Sequence, residues 1–449
     1  MKFELIKKNS YIIIFAFLLF FKVTNVIITE PFFDNYDSPA YFMFNIYPAF
    51  RLQGVTFFYK VLWNPDLIVI FQAFVGSLAW TYFWWVLVSS IRFFIIKIIF
   101  TFLILLLSLS SVVTEWDSAL LSESLSTSSI LILISSFARI VLSNFKEITH
   151  CYIFMISVVF FSSVKSNNAI ISIPLIIIFI LLMYIKRNNF EKKFNVKTYF
   201  MILGTLLSIL FFFINSLTSD VSKKLLTNGV INERLWENTQ WRTQILSSGY
   251  SQDFRDIWIN HRTKNLGLPS DEAVANLPEF ENWWNQNGKN FLVTFTFSNL
   301  DYALVGPFLL PELDSNFKYK STLLSGWSQG TDLTKDSEVL IRSISPRSFI
   351  WPNSPENAYF LLGLIFFTLG ISSMVFYTMR DYPKIYFISL CFIFLFIYSL
   401  PIWWFGSKPS DMNRHNVMGA IGWRLIFITA LCWIMDSLRF KNFFRRQKI

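Results

Sequence analysis

Apolar runs about as long as a bilayer is thick recur from one end of the chain to the other. The first reads NSYIIIFAFLLFFKVTNVIIT, and Lys22 is its only charged residue. A helix of roughly 20 apolar residues crosses the hydrocarbon core. On that rule the chain predicts about ten spans. They are Asn9–Thr29, Leu67–Ser89, Phe93–Val113, Ser124–Val141, Ile148–Val164, Ala169–Ile185, Tyr199–Leu217, Ala358–Met379, Ile385–Trp404 and Val417–Met435. The turn between the third and fourth is short. Composition agrees: 54% of residues are hydrophobic and only 15% charged, too few charges to cover a soluble domain of 449 residues. The expected fold class is an all-α polytopic membrane protein. The first run is too long for a signal-peptide core and lacks a small-residue cleavage site, so it reads as a retained anchor.

Charge sets the expected orientation, because short cytoplasmic loops carry Lys and Arg. Alternate loops hold Lys2, Lys7 and Lys8, then Arg92 and Lys97, then Arg139 and Lys146, then KRNNFEKKFNVK, then Arg380 and Lys384, and finally RFKNFFRRQK. All fall on one side, which predicts a plasma (inner) membrane protein with both termini cytoplasmic. The net charge of +10 is therefore topology, not a nucleic-acid footprint. Cys151, Cys391 and Cys432 lie in apolar runs and say nothing about redox compartment.

The other side receives the Glu30–Pro65 loop, the turn EWDSALLSE, KSNN, a large segment and GSKPSDMNRHN. This divides the chain into a transmembrane module at 1–217 with a first external loop at 30–65, an external segment at 218–355, and a second transmembrane module at 356–449. The external segment predicts helices over NERLWENTQWRTQIL, DFRDIWINHR and SDEAVANLPEFENWWNQNGKNFLVTF. Trp283, Trp284, Phe291, Phe295 and Phe297 either lay the last helix on the membrane surface or form the core of a small exported domain.

The external loops also hold the chemistry. Glu30, Asp34 and Asp37 follow the first span directly, and YFMFNIYPAFRLQGVTFFYKVL behind them reads as short interfacial helices with Arg51 and Lys60. A carboxylate held between such helices and the bundle is partly dehydrated and suits a general base. DNYDSP is equally a good turn and helix-cap sequence. In TEWDSALLSES, Glu115 and Asp117 read as a solvated turn. Glu123 heads the next span, either capping it or pointing into the bundle, where charge usually marks function. Lys22 lies inside the first span, either facing inward or reaching up to the surface along its stem. Lys165, Arg414, His415 and Arg424 complete a set of cations in the outer half, suited to a phosphate group. Arg92, Lys97 and Arg139 should snorkel to the opposite face. No HExxH, Cys/His cluster or Walker loop occurs. Asp34 and Asp37 could together take a divalent metal.

DSPAYF with YPAF and Arg51, LLSESLSTSSILIL, KSNNAIISIPLI and DMNRHNVMGAIGWRL occur in an order that resembles the GT-C class of bacterial membrane glycosyltransferases. The resemblance spans roughly Glu30 to Arg424. It implies an inverting transfer of a sugar from a polyprenyl-phosphate carrier to a glycan, lipid-linked or protein acceptor. Asp37 would be the base with Asp34 its rival, and Glu123 and Arg51 would shape the substrate site. Lys165, Arg414, His415 and Arg424 would hold the lipid phosphate. The acidic pair is three apart where some members carry adjacent acids, and the large external segment matches no acceptor-binding module of the class. Three rival functions are a flippase or transporter for lipid-linked oligosaccharides, a surface-polysaccharide polymerase or ligase using Arg234, Arg242, Arg255, His261 and Arg262, and a structural scaffold.

Overall fold

A computed structural model describes residues 2–29, 31–32, 38–42, 52–146, 148–186, 188, 196–217, 220–236, 238–264, 270–299, 355–405 and 409–446. The chain is an all-α polytopic membrane protein. Among the described residues the β pairing is one isolated bridge between Phe32 and Ala119.

The helices run α1 (Lys2–Thr29), α2 (Ser38–Tyr41), α3 (Gln53–Leu62), α4 (Pro65–Val88), α5 (Phe94–Ser108), α6 (Ser111–Ser118), α7 (Glu123–Leu142), α8 (Ile148–Val164), α9 (Ser166–Ile185) and α10 (Val196–Leu217). Beyond them come α11 (Asp220–Val230), α12 (Thr239–Ser247), α13 (Gln252–Lys264), α14 (Ser270–Ala275), α15 (Pro278–Trp283) and α16 (Lys289–Ser298). Past the undescribed stretch 300–354 lie α17 (Pro355–Thr378), α18 (Tyr382–Phe405) and α19 (Pro409–Arg446).

Among the described residues seven helices are long and apolar enough to cross a bilayer, drawn from α1, α4, α7, α9, α10, α17 and α19. The other three predicted spans fall on shorter apolar helices, in α5, α8 and α18. The predicted span Phe93–Val113 stops early. Ser108 and Ser110 give their hydroxyls to the carbonyls of Leu105 and Leu107, the helix ends, and Ser111–Ser118 forms α6 in what the sequence reads as a simple turn. Starts are encoded locally. Asn64 precedes Pro65 and its side chain accepts from the backbone N–H groups of Asp66 and Leu67, at 2.8 and 3.3 Å.

One continuous core runs through the membrane helices, with α7 and α19 mostly buried and α1 and α10 on the periphery. Ile12, Phe20, Phe200 and Leu207 project outward, as lipid-facing residues must. The interfacial helix α3 sits against the end of α8 at Gly54, where an added Cβ would lie 2.7 Å from the carbonyl oxygen of Ser163. A backbone atom cannot yield as a side-chain tip can. Gly54→Ala should therefore destabilise the protein by about 1–3 kcal/mol. At Gly422 the clash is with the Leu395 side chain alone, so Gly422→Ala should cost less; thermal unfolding in micelles compares the two.

The segment from Asp220 to Ser298 has its own core. Trp283, Trp284, Phe291 and Phe295 pack there with Tyr250, Phe254 and Phe280, so these four are domain core and not a membrane-facing stripe; Phe297 is 71% exposed. The long helices read from the sequence are broken. NERLWENTQWRTQIL passes through a π-helical turn at Ile231–Leu235, and Asn238 then caps a separate α12. The stretch from Ser270 breaks before Pro278, because proline excludes the preceding residue from helical geometry.

Candidate functional site

Glu123 is the first residue of α7, at the positive end of the helix dipole, and is fully buried. The cap position is Ser122, one residue earlier. Glu123 Oε1 accepts from Lys165 Nζ at 3.0 Å, and Oε2 lies 3.5 Å from Ser122 Oγ. Ser122 in turn accepts from the Tyr41 hydroxyl at 3.1 Å. Lys165 reaches Glu123 because it is a single extended residue (φ −148°, ψ 144°) between α8 and α9. That break turns its side chain across to α7 and leaves the amine partly exposed at the rim. Asn168, one turn further on, donates to Ser126 Oγ at 2.8 Å. Its Oδ1 and the hydroxyl of Thr127 are buried and have no partner among the described residues.

A second buried network lies beside the first. Lys22 Nζ meets Asp117 Oδ2 at 2.5 Å, and Ser124 Oγ donates to Oδ1 at 2.6 Å. Gly76 leaves the room for this pair: a Cβ there would stand 3.5 Å from Asp117 Oδ1 and 3.7 Å from Lys22 Nζ. Gln72 Nε2 donates to the carbonyls of Asp117 and Ala119, at 3.2 and 2.9 Å. Tyr59, on interfacial α3, shares its O–H between Leu121 O and Gln72 Oε1. Burial, with the nearby Tyr41 and Glu123, pushes its phenol well above the usual range, so it remains a donor. Phe32, just beyond α1, exchanges backbone hydrogen bonds with Ser118 and Leu120, which ties the chain after α1 to this corner.

The structure thus brings Glu123 and Lys165 together. It decides one open reading and corrects another. Lys22 does not reach up to the surface, and Asp117 is not a solvated turn; each neutralises the other in a site neither could occupy alone. Arg424 is buried in α19, donating to its own helix at Ala420 O, 2.7 Å away. Arg139 does not simply snorkel: it lies over the Trp85 ring and donates to His150 Nε2. In the segment after α10, Arg242 and Arg255 stack on Trp236 and Trp258 and bond to backbone carbonyls, so both brace that core. Glu30, Asp34, Asp37 and Arg51 lie outside the described residues, as do the side chains of Glu115, Arg234, Arg262, Arg414 and His415.

Sequence reasoning missed Asp117, Asn168 and Tyr41. The available signal was Lys22 itself: a lysine deep in a span implies a carboxylate at the same depth on a neighbouring helix.

Below the Glu123–Lys165 pair an apolar groove opens between α7, α8, α9 and α18, lined by Phe137, Phe154, Ile171, Pro174, Phe179 and Phe394. Its upper edge on α9, Ile171, is six residues past Lys165, roughly 9 Å at helical rise. Among the described residues no group of three His, Cys, Asp or Glu side chains is placed to hold a metal ion. A lysine at the rim suits an anion, an unpartnered carbonyl beside it suits a hydroxyl, and the apolar lining of the groove, which holds about 50 Å³ of open space, suits hydrocarbon. No family model matches the chain, and neither a curated protein nor a solved structure does.

Proposed function

We propose that the protein is an integral membrane glycosyltransferase that moves a sugar from a polyprenyl-phosphate carrier to an acceptor hydroxyl on the non-cytoplasmic face. The observation that carries this is the buried Glu123–Lys165 pair, with the unpartnered Asn168 Oδ1 beside it, above an apolar groove. The lysine suits a phosphate, the carbonyl a sugar hydroxyl and the apolar lining an isoprenoid chain.

In this reading the carrier chain occupies the groove and its phosphate meets Lys165. The acceptor oxygen forms a bond to the anomeric carbon as the carbon–oxygen bond to phosphate breaks. Polyprenyl phosphate leaves with the electron pair, and Lys165 stabilises the charge that grows on it. Asp37 takes the acceptor proton, with Asp34 the alternative base. Support for Asp37 comes from Tyr41, four residues later, whose hydroxyl is bonded into the Glu123 network. Arg414, His415 and Arg424 are further candidates for the carrier phosphate, and Arg51 for the acceptor side. If the Asp34–Asp37 stretch also takes a divalent ion, activity will fall with a chelator.

Proteoliposomes loaded with polyprenyl-phosphate hexoses or pentoses test the reading. The expected result is release of free polyprenyl phosphate that requires cell-envelope extract as acceptor and is lost in Asp37→Asn. No release from any donor would overturn the enzyme reading, and a flippase assay on lipid-linked oligosaccharide would follow.

A further inference from the structure

The far end of the bundle holds a second polar site. A cavity of about 540 Å³ opens there between the end of α4, the end of α7 and the start of α18. Among the described residues Arg92, Arg139, Lys146 and Lys384 line it, with the hydroxyl-bearing Ser89 and Ser90 and one carboxylate, Asp381. Asp381 is already paired, to Lys384 at 3.0 Å. From Glu123 to Arg139 along α7 is 16 residues, roughly 24 Å, so this cavity is separate from the candidate site.

Topology alone explains cations at this end, but not their convergence. Four cations from four segments face one concavity: the α4–α5 link, α7, the α7–α8 link and α18. Two of them are held in place from behind. Arg139 is stacked on Trp85 at 5.5 Å and bonded to His150. Lys384 is buried and lies over Trp433 and Phe376, at 5.5 and 5.4 Å. The wall itself is braced: Trp433 Nε1 donates to Ser90 Oγ at 2.8 Å, and Asp436 accepts from the backbone N–H groups of Arg92 and Phe93 at 2.9 Å each. Like charges gathered in one pocket repel, and a multiply charged anion relieves that repulsion. Arginine forks beside lysines suit phosphate oxygens, and basic pockets between membrane helices are suited to phosphorylated head groups.

We propose that this cavity binds a phosphate monoester or diphosphate, presented either by an anionic lipid head group or by a soluble phosphate compound. Its occupancy would bridge α4, α7 and α18 and so stabilise the assembled bundle.

Two probes distinguish the sources, both on the full chain in phosphatidylcholine nanodiscs. One arm titrates pyrophosphate and follows the thermal midpoint. The other dopes the disc with phosphatidic acid and counts retained lipid by native mass spectrometry. Stabilisation by pyrophosphate, or selective retention of phosphatidic acid, supports the proposal and names the source. Either signal should weaken at least tenfold in Arg139→Gln and in Lys146→Gln. The second of these changes an exposed residue and keeps the test valid if the first folds poorly. Lys97→Gln, a cation at the same end that does not line the cavity, should bind as wild type does. Failure of both probes with wild type, or equal binding by wild type and Lys146→Gln, would overturn the proposal.

Discussion

Lys22→Met should lower the stability of the folded protein by about 3–5 kcal/mol, the usual cost of stripping one partner from a buried ion pair. Asp117 would keep the Ser124 hydroxyl against its charge while remaining buried. Asp117→Leu should cost a similar amount, since it leaves the ammonium stranded within α1. The double variant should fall well short of the sum, with a coupling of about 1–3 kcal/mol. Denaturation of the four chains in mixed micelles gives the cycle. Additive losses would mean that the lysine reaches water rather than Asp117. The prediction holds whatever the protein catalyses, because it concerns the assembly of α1 against α4 and α6.

Lys165→Met should slow the proposed transfer by about 10²- to 10³-fold in kcat, the range for removing one preorganised donor from a developing charge. The stability loss should be smaller than for Lys22, because the amine is partly exposed and Glu123 can recruit water at the rim. Lys165→Arg keeps the charge and should retain part of the rate. Glu123→Gln separates the two roles of the carboxylate. If Glu123 only positions Lys165, the change should raise the KM for the carrier and leave kcat nearly intact. If it touches the sugar, kcat should fall as well. Initial rates of polyprenyl-phosphate release against carrier concentration read both quantities. A Lys165→Met chain with wild-type kcat would remove the lysine from the phosphate site and leave Arg424 as the next candidate.

The two buried pairs differ in how far they could be read in advance. Glu123 and Lys165 stand at helix ends, where a charge has few directions to go, and both are legible as inward candidates. Lys22 and Asp117 are 95 residues apart, and the turn that holds Asp117 reads as solvated because its neighbours are polar. What buries it is α6, a helix that local signals do not announce, packed against α1 and α4. The aromatics of the external segment posed a similar choice. Their spacing suits a surface helix and a domain core equally, and the break at Leu277–Pro278 lets them fold back into a core.

By itself the sequence determined the class of fold and the apolar membrane helices, and it predicts the sorting of basic loops to one side. Those follow from hydrocarbon thickness, backbone hydrogen bonding and charge, each of which acts within about 20 residues. It also set depth, since a residue's place along a span states how far it sits from either surface. Only the tertiary structure decided azimuth. Which face of α1 carries Lys22 inward, which side of α9 offers Asn168, and which four cations converge at the far end depend on how helices rotate and pack against one another. That packing is settled by contacts between segments distant in the chain, and no local pattern records it.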